Sequence, residues 1–134
     1  MLKTYHGSCH CGAIGFEADI DLAAGTNKCN CSICTKRRNW NVLLKPDAFR
    51  LLRGEDSLSG YSFGSMQGQW LFCSTCGCAP FSRGDVAEIG GAFVSVAVTC
   101  LDDASPTELA EAPVRIGDGR NNAWWQEPAE TRHL

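Results

Sequence analysis

Cysteine is the residue that most constrains this chain: there are nine in 134 positions, and seven of them fall in three tight groups. The groups are Cys9-His10-Cys11, Cys29-Asn30-Cys31-Ser32-Ile33-Cys34 and Cys73-Ser74-Thr75-Cys76. Cysteines two or three residues apart make poor disulfide partners for each other. Their sulfurs do converge on one ion when the backbone turns tightly around it. The odd total also argues against a closed set of disulfides. A chain of this length forms one domain by default, here residues 1–134, and buries enough surface to hold a core without cross-links. The clusters therefore read as metal ligands rather than staples.

Gly12 and Gly77 each follow a cysteine group directly, where a turn needs positive φ and amide N–H groups must approach sulfur. Four thiolates around Zn²⁺ form a closed tetrahedral site, whereas three leave a position for water or substrate. Seven cysteines divide as four and three. We assign Cys9, Cys11, Cys73 and Cys76 to a closed structural zinc that ties the N-terminal region to the middle of the chain. Cys29, Cys31 and Cys34 then form an open site on one short segment. Cys78 and Cys100 are left over, and each reads as a small buried hydrophobe. Either of them, or His6 or His10, is also available as a fourth ligand to the second cluster, which would make that site structural. His10, inside a knuckle, is expected to face solvent or bond to its loop.

Charge narrows the partners. A formal net charge of −3 and an isoelectric point near 5.5 remove the general attraction that nucleic acid or an anionic membrane requires. Seven thiolates and two dications lower the charge by three more. No apolar run approaches the ~18 residues of a membrane span, and the first residues lack the apolar stretch of a signal peptide. The expectation is a soluble cytoplasmic protein in a reducing compartment. The oligomeric state is left open.

The apolar pattern has mostly the strand period of two: residues 15–20, 61–63 and 93–98 alternate. Residues 40–45 and 49–53 are short runs with Pro46-Asp47 as a turn linking two strands. Residues 69–72 lead into Cys73 and residues 79–82 lead away from Cys76, so a hairpin with metal ligands at its tip is expected. Helix signals are confined to residues 32–38 and to Ser105-Pro106, a capping serine with proline at the first helical position. The expectation is a mainly β fold with zinc knuckles and one or two short helices.

Three motifs carry a resemblance. Residues Gly7 to Glu17 around Cys9 and Cys11, Cys29 to Arg37, and Phe72 to Gly77 resemble the glutathione-dependent formaldehyde-activating enzyme family, which includes the centromere protein V domain. Asp118-Gly119-Arg120-Asn121 and Trp124 look like its C-terminal segment. The resemblance implies a β-tent type of fold built of several small coiled antiparallel sheets. It also implies a structural zinc on Cys9, Cys11, Cys73 and Cys76, and a catalytic zinc on Cys29, Cys31 and Cys34. The activity it implies is that of a carbon–sulfur lyase, condensing glutathione with formaldehyde to S-(hydroxymethyl)glutathione. Cys78 departs from the pattern, since a non-thiol residue is expected after Gly77.

Such chemistry needs a small thiol, an aldehyde and cations. Three thiolates and one Zn²⁺ carry a net negative charge, so an anionic ligand needs positive neighbours. Lys36, Arg37 and Arg38, directly after Cys34, are the candidates for holding a substrate carboxylate or thiolate. Arg83 and Arg120 are weaker ones. Asn30 is placed to donate a hydrogen bond to sulfur or substrate, or to form the turn, and Trp124-Trp125 to cover a pocket or pack at the chain's end. The alternative function is a non-catalytic zinc-stabilised binding module. Thiol redox repair would need a reactive cysteine outside the clusters, and only Cys78 and Cys100 qualify.

Overall fold

In the computed structural model, which describes residues 1–134, β1 (Lys3–Ser8) runs antiparallel to β2 (Gly15–Ile20). The connection between them carries Cys9 and Cys11, and Gly12 reverses it at φ 81°. Alternation on β2 buries Phe16, Ala18 and Ile20 on one face. The free edge of β2 takes up β5 (Phe49–Arg53), completing a three-stranded antiparallel sheet. Strands pack closely here: a Cβ at Gly7 would sit 2.2 Å from Cζ of Phe16.

The remaining strands are β3 (Thr26–Cys29), β4 (Asn41–Leu44), β6 (Leu58–Tyr61), β7 (Gly68–Cys73), β8 (Phe81–Val86), β9 (Gly91–Ala97) and β10 (Val114–Gly117). They form a second sheet in the order β10-β3-β4-β9-β8-β7-β6. The helices are α1 (Ser32–Arg37) and α2 (Pro106–Glu111). The mainly β expectation holds, with ten strands in two sheets and two short helices. One pairing departs from the antiparallel pattern: β10 pairs with β3 in parallel. The larger sheet is a string of short ladders. One residue pair, Asn27 with Asn41, joins β3 to β4, and two pairs join β7 to β8.

Local differences have local causes. Residues 46–48 form a 3-10 turn between β4 and β5, but the strands it joins lie in different sheets. Both edges of β4 are occupied by β3 and β9, whereas β2 has an edge to offer. The strand expected at 61–63 ends at Tyr61. Ser62 Oγ donates to the Gly68 carbonyl and Met66 N–H to that of Phe63, closing a turn. Helix α1 stops where Arg38 takes the left-handed conformation at φ 51°. Helix α2 begins with a capping box: Glu108 N–H donates to Ser105 Oγ, and Ser105 N–H to the Glu108 carboxylate. No helix is long and apolar enough to cross a membrane.

Three phenylalanines clamp the two sheets together. Phe16 of β2, Phe49 of β5 and Phe81 of β8 have ring centroids 4.6–6.0 Å apart, contacts worth roughly 0.5–1.5 kcal/mol per pair beyond area burial. Cys9 and Cys73 belong to the same buried cluster. The first cysteine group is thus part of the wall of the core.

Charged groups lock the small sheet's outer face. Arg50 donates to Glu17 and, through both terminal nitrogens, to Asp19, which also accepts from Thr4. Arg50, then Thr4, hold the Asp19 carboxyl down at about 2. The Glu108 carboxyl is also held at about 2, by Lys3, by the Ser105 amide and by Tyr5. Both pKa values are depressed on folding, so the stability they contribute is complete above the ordinary carboxyl range and is lost as pH falls from there toward 2. The wild type should melt above Asp19→Asn at pH 7, and the gap should narrow as pH falls below about 4 and close only near pH 2. A constant gap would remove this assignment.

Candidate metal centres

The four-cysteine group forms where the β1–β2 connection meets the turn after β7. Cys9 to Cys11 and Cys11 to Cys73 are each 3.7 Å between sulfurs, across 62 residues in the second case. All four Sγ atoms lie within 4.8 Å of one another. A tetrahedron with Zn–S bonds of ~2.3 Å has S···S edges of about 3.8 Å, so the donor set fits zinc. Backbone amides also point at the sulfurs. Ile14 N–H donates to Cys9 Sγ, and the Thr75 and Cys76 amides to Cys73 Sγ. The Cys76 and Thr75 amides push the Cys73 thiol pKa down, and those of Cys11 and Cys78 bring Cys76 down to about 6. Gly77, at φ 77°, lets the turn close: its N–H donates to the Cys73 carbonyl, and Cys73 N–H donates to that of Cys78.

The second group lies at the junction of β3 and α1. Cys29 ends the strand, Cys31 sits at the helix cap, and Cys34 lies on the helix's buried side. Their Sγ atoms are within 4.8 Å of one another, with Cys29 and Cys31 3.3 Å apart. Asn39 Nδ2 approaches Cys34 Sγ at 3.8 Å. Hydrogen bonds from Cys29 and Cys34 pull the Cys31 thiol pKa down, while the same pair interactions push Cys34 up. Three crowded sulfurs that share negative charge in this way are suited to exchange protons for a cation. No fourth protein donor joins them.

The leftover thiols and histidines stand apart. Cys78 and Cys100 are free, half-buried and outside both groups. His6 lies between Asp103, at 3.1 Å, and Glu17, at 3.4 Å. His10 is exposed.

Around the three-cysteine group the structure separates candidates that sequence treats alike. Arg37 turns inward, its guanidinium 5.4 Å from the Trp70 ring centroid and donating to the Leu71 carbonyl. Burial pulls its pKa down. Lys36 is exposed, and Arg38 points away to donate to the His133 carbonyl. Asn30 is buried at 8% exposure. Its Nδ2 donates to Asp118, its Oδ1 accepts from Arg120 N–H, and its own carbonyl accepts from Arg120 Nε. These bonds dock the segment after β10 against the cysteine loop, and the parallel pairing of Gly117 with Cys29 delivers it there. A Cβ at Gly119 would lie 3.1 Å from Cys31 Cβ and 2.5 Å from the Trp124 ring. Arg83 instead lies over Phe81.

Two features escape a reading of the sequence. Asp118, which orders the segment by accepting from Asn30 and Asn121, has no motif of its own beyond the segment's likeness. Trp70 and Phe72 have a signal, since alternation along β7 puts them on the face opposite buried Leu71 and Cys73.

A mainly β scaffold carrying one four-membered and one three-membered thiol cluster has two places that could hold a metal ion such as zinc. The chain belongs to the glutathione-dependent formaldehyde-activating enzyme family, whose sequence pattern matches residues 4–115. The match ends short of the segment at 118–124. Among solved structures, a Rhodobacter sphaeroides protein is similar over 82% of this chain and 99% of its own, with 29% identity and a TM-score of 0.68.

Proposed function

We propose that this chain, as one domain over residues 1–134, is a zinc-dependent carbon–sulfur lyase that adds glutathione or a related small thiol to formaldehyde or another aldehyde. The observation that carries the reading is the contrast between clusters: four converging thiols in one, and in the other three with no fourth protein donor. Two zinc ions per chain follow, one structural on Cys9, Cys11, Cys73 and Cys76, one catalytic on Cys29, Cys31 and Cys34.

Cys29, Cys31 and Cys34 would hold the zinc, which would supply the Lewis acidity that keeps a substrate thiol deprotonated near neutral pH. The protein supplies the rest. Arg37 and Arg120 flank the cluster with positive charge, and exposed Lys36 adds to it, favouring approach of an anionic thiol. Asn30 positions Arg120 and the segment that carries it. In the addition, the C–S bond forms as the carbonyl π pair moves to oxygen, and the thiol's proton ends on that oxygen. All nine cysteines are free, as suits a reducing cytoplasm.

Cobalt-loaded protein titrated with glutathione and other small thiols is the test. Saturable change in the visible ligand-field bands is expected. No change with any thiol would overturn the lyase reading and leave a zinc-stabilised binding module.

A further inference from the structure

An open cleft of about 330 Å³ lies beside the three-cysteine loop, lined by Ile33, Arg37, Tyr61, Trp70, Phe72 and Gly77. Ile33 sits between Cys31 and Cys34, and Gly77 follows Cys76, so the cleft runs between the two cysteine groups. Its floor is the outer face of β7, where Trp70 and Phe72 project side by side. Tyr61, the register partner of Trp70 on β6, raises one wall, and Phe63 stacks on Tyr61 at 5.6 Å. Tyr61 and Phe63 are 55% and 40% exposed, so this aromatic surface faces solvent.

Charge sets this cleft apart from an ordinary apolar dent. Arg37 is half-buried, and no carboxylate lies within ion-pair distance of it. One of its nitrogens donates to the Leu71 carbonyl, and the others have no protein acceptor. A guanidinium partly withdrawn from water, with N–H groups free and its face on an indole, is arranged to receive a planar anion. The neighbouring rings call for an apolar, preferably flat, body attached to that anion.

We propose that this cleft is a binding site for a small aromatic carboxylate, with the carboxylate on Arg37 and the ring among Trp70, Phe72 and Tyr61. Resting on the reading of the chain as a thiol–aldehyde lyase, the ligand is the aldehyde: an aromatic aldehyde bearing an acid group. Formaldehyde, with two heavy atoms, has nothing to place against three rings and a cation. Along those rings only the Trp70 indole N–H and the Tyr61 hydroxyl could pair with the polar amides of glutathione, whereas the ring faces suit a flat apolar body. The cleft shares Ile33 with the cysteine loop, so such an aldehyde would lie at the edge of that loop.

The probe is benzoate, which has ring and charge but no reactive carbonyl, added to zinc-loaded protein and followed by NMR at the Trp70 indole N–H. Saturable shifts are expected, with acetate and benzyl alcohol binding about tenfold or more weakly, because each lacks one half of the recognition. Arg37→Gln should weaken benzoate by about tenfold or more while leaving benzyl alcohol binding and the zinc content unchanged. Arg37→Lys, which keeps the charge without the planar fork, should recover part of the loss. Absence of saturable binding, benzoate binding indifferent to Arg37→Gln, or acetate binding as tightly as benzoate would each overturn the proposal. Benzoate binding by a protein whose cobalt spectrum ignores every thiol would uphold the cleft and overturn the lyase reading alone.

Discussion

Cys73→Ser is expected to abolish cooperative folding. Cys73 is fully buried, lies in the same cluster as the phenylalanine core, and joins β7 to the β1–β2 connection 62 residues away. A structural zinc contributes an apparent ~10–16 kcal/mol, as large as the whole stability of about 5–15 kcal/mol typical of a domain. A serine hydroxyl is a poor replacement for thiolate on this ion. The variant also leaves the Thr75 and Cys76 amides without their sulfur acceptor. Thermal melts followed by circular dichroism should show no sharp transition, with bound zinc below two per chain. A melt within a few degrees of wild type would show that the four-cysteine site is not what holds the sheets.

Cys31→Ser should behave oppositely, leaving a folded protein that has lost its response to thiols. Cys31 is half-buried at the cap of a six-residue helix, and the segment around it is anchored independently. Asn30 holds it to Asp118 and Arg120, and β3 holds it to β10. Second-sphere partners of a catalytic metal already cost about 10–100-fold when removed, so loss of a ligand should cost ~100-fold or more in thiol–aldehyde addition. The melting temperature should stay within about 5 °C of wild type, as for changes of ~1 kcal/mol. Bound zinc should fall from two to one, and glutathione should leave the cobalt spectrum unchanged. Destabilisation equal to that of Cys73→Ser would make both sites structural and remove the catalytic reading.

The contrast between these variants shows how unevenly the chain can be read. The cysteine groups were legible because ligand spacing is a local property: Cys73 and Cys76 need only a tight turn and Gly77 behind them. So was the start of α2, where Ser105, Pro106 and Glu108 lie within one helical turn. The turn at residues 46–48 was legible as a turn but not as a crossing between sheets, because edge availability on β2 and β4 depends on strands far away in sequence. Lys36, Arg37 and Arg38 looked equivalent for a related reason. A six-residue helix ending in a left-handed cap sends consecutive side chains in different directions, and only Arg37 reaches β7, at Trp70 and the Leu71 carbonyl.

By itself, then, the sequence determined the partition of seven cysteines into four and three and a fold made of short strands. These follow from residue type, spacing and alternation, which act over a few positions. Only the tertiary structure decided that Cys78 and Cys100 stay outside both clusters, that Asn30 serves the segment after β10, and that the outer face of β7 becomes an aromatic wall with a cation at its edge. Each depends on which distant strand fills which edge, and burial and pairing settle that for the chain as a whole.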